Sequence, residues 1–414
     1  MQTFGELIDH GEAMRLVLQS TPVLEAAETP ISEAQGLSLS GELRARFDSP
    51  MDENSAMDGF ALCSADAEVG RVFPVVDESP AGSPATRGVG EGEAIKIFTG
   101  GVIPEGADAV VPVENTSGYG EEFELKSPVR PGANVRGSGE DVREGDLMLP
   151  DGVEIGPSEI ALAASQGYGS LSVRRRPRVV IFSTGAELVE PGSRELSPGE
   201  VYDSNSYALL AQAREAGADA RRIASATDDE EAIRAGMREA LESADIVVTS
   251  GGVSMGEKDL VKDMLLELGV EQRFWGIKLK PGKPVFYGTR EDVRFFGLPG
   301  NPVSAMVCFE LFVRPAISRM MGRGDHEDHG RPRAEVYFED HVENRFGRTH
   351  AMRVSLTRTE KGWRAESVGA QGSGLISSLT KADALALIGP ECEGVAAGEP
   401  VEAIVLRPEA LTSR

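Results

Sequence analysis

Residues 244–259 read ADIVVTSGGVSMGEKD, an apolar run that ends on paired glycines. A continuous run of this kind suits a strand buried on both faces, and the glycines suit the turn that leaves it. The chain continues DLVKDMLLELG, which places Leu260, Val261, Met264, Leu265 and Leu268 on one helical face, with Gly269 as a stop signal. Strand, glycine turn and helix in that order point to an α/β unit whose ligands sit at the carboxyl ends of its strands. A glycine turn that opens a helix aims backbone N–H groups along the positive end of the helix dipole, which suits a phosphate or another oxyanion. A tight turn that binds nothing has the same residues, and the segment alone does not separate the two. Two more turns of the kind follow, KPGKP (280–284) and GLPGNP (297–302). Three in one unit favour an anion site.

With 414 residues the chain has room for two to four domains with cores of their own. Its formal charge of −25 argues against a nucleic-acid surface, because phosphate backbones attract the opposite sign. Cys63, Cys308 and Cys392 lie far apart with no CxxC, which disfavours disulfides and structural zinc. No apolar stretch reaches the roughly 20 residues that span a bilayer, and the acidic start MQTFGELIDHGEAM has no targeting character. A soluble, cytoplasmic protein with neither membrane nor nucleic-acid partners is expected. An anionic ligand would then need local positive charge or a bridging cation. Lys278, Lys280 and Lys283 form the one dense lysine cluster, inside the glycine-turn region.

The chain divides by pattern. Residues 1–48 read as helices with a loop at Thr21–Pro22, and 141–175 return to helical patterning (PSEIALAASQG) that folds back on them. Between them, 49–140 are rich in Gly and Pro with short β-type runs (AIKIF, AVVPV, FELK), a small β-rich domain. RRRP at 174–177 marks a boundary. From 176 to 325, RVVIFSTG, DSNSYALLAQAREAG, DDEEAIRAGMREALESA and DIVVTSGG alternate as a doubly wound α/β domain, with Asn301 and Pro302 opening a last, buried helix. After the polar linker GRGDHEDHGRP, residues 331–414 read as a small β-barrel or sandwich. The fold class is thus α/β plus β, in several domains.

The turn at 250–256 misses a phosphate-binding P-loop, since Glu257 stands at the lysine position. Gly137 and Gly139 lack the third glycine of a dinucleotide site. Carboxylates recur at element ends beside Gly, Ser or Thr: Asp58, Asp141, Glu187, Asp228 and Asp259. Each reads equally as a solvated charge or helix cap; if several converge, their hard oxygens suit Mg²⁺. His10, His341 and His350 have no ligand-like spacing, and His326 and His329 fall in the linker. No Ser–His–Asp or Cys–His pattern points to covalent catalysis.

Seven motifs in order carry a family resemblance: SPMDENSAMDGFA, FTGGVIPEGADAVVPVE, VRGSGEDVREGD, VVIFSTGAEL, TSGGVSMGEKD, KPGKP and GLPGNPVSAMVCFE. From about residue 20 onward the chain resembles the molybdenum-insertase family, the MoeA proteins and the E domain of gephyrin. The resemblance implies an elongated homodimer with a discontinuous helical domain, a β-rich domain, a molybdopterin-binding α/β domain and a C-terminal β domain. It implies a molybdopterin molybdotransferase that takes adenylyl-molybdopterin and molybdate and, with Mg²⁺, yields molybdenum cofactor and AMP. A separate adenylyltransferase would supply the substrate, and apo-molybdoenzymes would receive the product.

Carried over by position, the resemblance implies catalytic roles for Asp58, Thr99, Asp141, Glu187, Lys280 and Lys283. It implies substrate binding by Ser250, Gly251, Gly252, Ser254, Lys278, Pro299, Arg353 and Ser373, and Mg²⁺ ligation by Asp228 and Asp259. Three places depart from the family pattern: PMDE stands for PPFD, TGG for TGA, and Gly276 where a basic residue is common. A cofactor carrier or scaffold without turnover, and an insertase that prefers tungstate, are the alternatives.

Overall fold

The computed structural model describes residues 7–183, 185–223, 230–251, 260–323, 331–344 and 347–412. The first helix, α1 (His10–Ser20), is capped by the Asp9 carboxylate, which accepts the Glu12 N–H at 2.8 Å, and it ends at the expected Thr21–Pro22 loop. It buries Ala13 and Val17 against the α/β core, far along the chain. The helical reading of 1–48 holds for α1 alone. Residues 26–44 form short strands instead (Ala26–Pro30, Ser38–Leu39, Leu43–Arg44). Pro30 and the left-handed Gly36 (φ 72°) and Gly41 (φ 86°) break helical continuity there. These strands pair with Ser170–Arg174 and Leu147–Leu149 and close a small core with α2 (Pro157–Ser165), so the two helical-patterned segments do meet.

The Gly- and Pro-rich stretch that follows forms a five-stranded sheet, in the order Ala109–Pro112, Gly59–Leu62, Ala94–Ile97, Val72–Ser79, Glu122–Glu124. Its core is aromatic: the rings of Phe60 and Phe123 stack with centroids 3.9 Å apart.

The α/β unit has six strands, ordered Asp219–Ile223, Arg178–Ser183, Ile246–Ser250, Val293–Leu298, Phe286–Arg290, Glu271–Trp275. The first four run parallel and the last two antiparallel at one edge. Alternation along each strand sends side chains to opposite faces, and both faces are covered. Val179, Ile181, Ile246 and Val248 meet α3 (Asn205–Glu215) and the helices near 302–320. Val180, Phe182 and Val247 meet α4 (Glu230–Ser243) and α5 (Leu260–Glu267). The run expected to be one buried helix is α6 (Pro302–Cys308), a π turn over Phe309–Val313, and α7 (Arg314–Met320). Glu310 within the π turn is buried, 2.6 Å from Arg314 and 3.1 Å from Arg331, whose guanidinium also reaches the Leu406 carbonyl at 2.9 Å.

The last domain is a closed barrel. Thr349–Thr359 pairs on one side with Gly362–Ser367 and on the other with Ala384–Ile388; Arg333–Tyr337 and Pro400–Val405 complete the ring. One strand comes from outside: Leu279–Lys280 lies parallel to Thr349–His350. Among the described residues no helix is long and apolar enough to cross a membrane.

The basic run at 174–177 is fastened beneath the α/β sheet. Arg175 donates to both oxygens of Asp245 (2.6 and 2.8 Å), and the Arg178 amide donates to one at 2.7 Å. Burial pushes this carboxyl up, but the hydrogen bonds from Arg175 and Arg178 outweigh it and hold it at about 2. A depressed carboxyl stabilises the fold above its unfolded value, ~3.9, and that contribution fades as pH falls through the folded one. Asp245→Asn should therefore lose on the order of 2 kcal/mol at neutral pH and show a flatter stability profile between pH 4 and 2 than the parent. Denaturant titrations across that range measure both.

Candidate functional site

Two neighbouring parallel strands end side by side, one at Ser250 and the other at Leu298, and their turns are tied together. Gly251 turns at φ 89°, which favours glycine, and donates its N–H to the Leu298 carbonyl at 3.2 Å. The Asn205 carboxamide, first residue of α3, donates to Ser250 Oγ at 2.8 Å and to the Gly300 carbonyl at 2.7 Å. Ser250 Oγ in turn reaches the Pro299 carbonyl at 3.4 Å. The buried Asp203 holds the start of α3, accepting from the Ser206 N–H (3.0 Å) and Oγ (2.5 Å) and from Ser183 Oγ (3.4 Å) on the next strand. Asn301 occupies the cap position of α6 as expected, but its side chain makes no capping bond.

Helix α6 joins this edge to the barrel and to the lysine turn. At its start, the Val303 N–H donates to the Ser373 carbonyl at 3.1 Å. At its end, Cys308 lies against Gly282 (φ 118°), where a Cβ would stand 2.4 Å from the sulfur. Only glycine fits between the lysines of KPGK. Lys280, half-buried, lies directly beside His350 in the strand pair. Arg353 is fully buried; among the described residues its Nε and Nη1 have no hydrogen-bond partner, and Nη2 reaches the Ala370 carbonyl only at 3.5 Å. Gln371 clamps the Arg353 backbone, accepting from its N–H (3.0 Å) and donating to its carbonyl (3.1 Å), which sets the loop that carries Ser373.

The charges that shift Lys280 are positive. Burial pulls the Lys280 ammonium below its ordinary range, and the charges of Arg348 and Arg353 add to that. Burial alone does the same to Arg353. Buried cations are normally paired with carboxylates. Among the described residues the buried Arg353 keeps two guanidinium nitrogens unmet, an arrangement that an oxyanion would complete.

Of the residues singled out from sequence, Ser250, Gly251 and Pro299 meet at the strand ends; the Ser373 carbonyl bonds the start of α6, Lys280 lies in the turn that meets its end, and Arg353 is tied by Gln371 to the loop of Ser373. Glu187 is exposed on the turn after Arg178–Ser183, its carboxylate 2.7 Å from where a Cβ on Gly185 would stand. Lys278 and Lys283 have exposed side chains; the Lys278 carbonyl accepts the Thr349 N–H at 2.8 Å, and the Lys283 carbonyl accepts the Ile277 N–H at 3.0 Å. Gly276 explains its own departure from the basic residue common there: at φ 85°, with Leu7 2.7 Å from a would-be Cβ, it leaves no room for a side chain. Asp58 and Thr99 sit on the β-rich sheet's loops, where the Thr99 N–H (2.7 Å) and Oγ1 (2.9 Å) donate to one carboxylate oxygen and lower the Asp58 pKa. Asp141 is exposed on a loop paired with Ser49. Gly252, Ser254, Asp228 and Asp259, and the linker histidines 326 and 329, lie outside the described residues. Sequence reasoning passed over Asp203, Asn205 and His350. The DSNS stretch held a helix-start signal that would have found the first two; nothing local marks His350.

Comparison with known proteins extends along the chain. Residues 8–167 match the MoeA N-terminal region (domain I and II), 180–319 a probable molybdopterin binding domain, and 335–406 the MoeA C-terminal region (domain IV). A molybdopterin molybdenumtransferase of Bacillus subtilis is 32% identical over 408 residues, covering 96% of this chain and 94% of the relative. Molybdopterin molybdenumtransferase 2 of Mycobacterium tuberculosis is 37% identical over 326 residues, covering 76% and 80%. The crystal structure of a molybdopterin biosynthesis MoeA protein from Pyrococcus horikoshii superimposes with a TM-score of 0.80 at 28% identity, covering 97% of this chain and 100% of that one.

The Asn205 clamp makes a local prediction. Asn205→Ala removes two hydrogen bonds, each contributing about 1 kcal/mol, and leaves the turns joined by the Gly251–Leu298 backbone bond and the Ser250–Pro299 contact. The Gly251 amide should exchange its hydrogen several-fold faster in the variant while amides of the sheet interior stay unchanged. Hydrogen-exchange mass spectrometry resolves the two.

Proposed function

The chain belongs to the MoeA family of molybdopterin molybdenumtransferases, and on that premise we propose that it transfers molybdate onto the dithiolene of adenylyl-molybdopterin and releases AMP. The observation that carries this reading is the fully buried Arg353, which among the described residues keeps two guanidinium nitrogens unmet and whose charge reaches Lys280. A tetrahedral oxyanion such as molybdate offers several acceptor oxygens to unmet N–H groups of that kind. The turns at Ser250–Gly251 and Pro299–Gly300 lie at the other end of α6 from Gly282, in the place where an α/β sheet takes phosphates. Substrate phosphates at that edge and an oxyanion beside Lys280 and Arg353 would bring the two reactants to one helix.

In this reading Lys280, Lys283 and Arg353 hold molybdate, with Ser373 and Lys278 at the pocket rim. Ser250, Gly251, Gly252, Ser254 and Pro299 hold the phosphates, and Asp141 and Glu187 order water or take up protons. No protein nucleophile is required. Mg²⁺ would be held by Asp228 and Asp259; among the described residues Glu187 adds a hard, exposed carboxylate at the same sheet edge, the donor chemistry the ion takes. When bound, the ion would neutralise charge on the phosphoanhydride. Asp58 and Thr99 belong to a different sheet, so their part is assigned to a homodimer in which they complete the site of the second chain. A separate adenylyltransferase and apo-molybdoenzymes would be the protein partners, in the cytoplasm. A carrier of finished cofactor would have no need of a pocket for the free oxyanion, which favours the insertase over that reading.

Purified protein, adenylyl-molybdopterin and Mg²⁺ should release AMP on addition of molybdate, and a parallel reaction with tungstate reads the preference. Lys280→Gln should slow release about 10²–10³-fold, the usual loss for one well-placed charge-stabilising group, with circular dichroism unchanged. Parent-like turnover by that variant would remove the pocket from the mechanism, and no AMP with either oxyanion would leave the carrier reading.

A further inference from the structure

His350 is 5% exposed, and among the described residues neither of its ring nitrogens has a hydrogen-bond partner. A buried imidazole with both nitrogens unmet is unusual, since one is a donor and the other an acceptor in the neutral ring. Its position explains what could complete it. Strand pairing puts it directly beside Lys280. Arg348, just before its strand, and Arg353, on it, lie to either side, and both contribute to the positive field at Lys280. The strand across from it, Ala384–Ile388, has no ionisable side chain; Asp383 before it is committed to the Leu356 N–H at 2.9 Å, and Glu391, three residues past Ile388, is exposed. Burial first, then the charges of Lys280 and Arg353, hold the imidazole down to about 4, so it is neutral near pH 7.

We propose that His350 is the proton-accepting member of the anion pocket: a divalent oxyanion that enters beside Lys280 and Arg353 draws one proton from solvent onto the imidazole. The imidazolium then adds a positive charge beside the anion at Lys280. This rests on the pocket reading of the proposed function and goes beyond it. The only bond formed within the protein is N–H, and the proton comes from buffer. The two negative charges offset the cations that kept His350 neutral, so its affinity for a proton rises on binding. By linkage the anion binds more tightly as pH falls, and a monovalent anion of similar size produces a smaller effect.

Titration calorimetry with sodium molybdate alone, repeated in buffers of different ionisation enthalpy, counts the protons taken up. The parent should take up as much as about half a proton per molybdate at pH 6.5, the value for an imidazole restored to its ordinary pKa. His350→Gln should still bind molybdate, with no uptake and with an affinity that no longer changes between pH 6 and 8. Equal uptake by parent and variant would overturn the inference, as would binding by the parent with no uptake. If the glutamine variant does not fold, the parent's proton count decides alone. Absence of molybdate binding by the parent would overturn the pocket itself, and this inference with it.

Discussion

Helix α6 sets the distance between the two halves of the site. At one end it meets the strand-end turns and, through Val303, the loop of Ser373; at the other Cys308 presses on Gly282. A helix of this length is about 10 Å long, so the phosphate-type turn and the lysine turn are spaced by a rigid element rather than by loops. Almost every α6 side chain is buried, which removes freedom to tilt. The small residues follow from this. Gly282 has no Cβ because the helix occupies that space, and Gly251 and Gly300 approach each other where the two turns are clamped.

The charge distribution serves the same end. In a chain of formal charge −25, Lys280 and Arg353 stand where burial makes a positive charge costly, and Asp383, beside the barrel strand, is engaged by the Leu356 N–H. Glu310 is the contrasting case: buried to a similar degree, it is answered by Arg314 and Arg331 and holds the barrel to the α/β unit. One buried cluster is satisfied and structural; the other is left open on one side. That difference, rather than the count of charges, distinguishes a ligand site from a fastening.

Much of this was legible in the residues, for physical reasons. The α/β unit and the barrel strands announce themselves through continuous or alternating apolar runs, and the glycine turns through their spacing. The strands at 26–44 were missed because their pairing partners lie more than a hundred residues away, at 170–174, and tertiary pairing overrode local pattern. The antiparallel edge strands Glu271–Trp275 and Phe286–Arg290 escaped notice for a related reason: they border the lysine turn, whose Gly and Pro dominate the local signal. At the site, the lysines and Arg353 could be named by family pattern, but their convergence could not. His350 shows the limit, because its significance comes wholly from a two-residue strand pair with Lys280.

That strand pair has a further consequence for how the molecule can be taken apart. Leu279–Lys280 belongs covalently to the α/β unit, yet it covers the open side of the barrel strand at Thr349–His350. A barrel excised at the linker would keep its ring of strands but lose this cover, exposing unpaired backbone groups beside a buried histidine. Such an edge is a template for pairing with other chains. The boundary drawn by the linker is therefore not the boundary of an autonomous folding unit: the last domain borrows one of its strands from the domain before it.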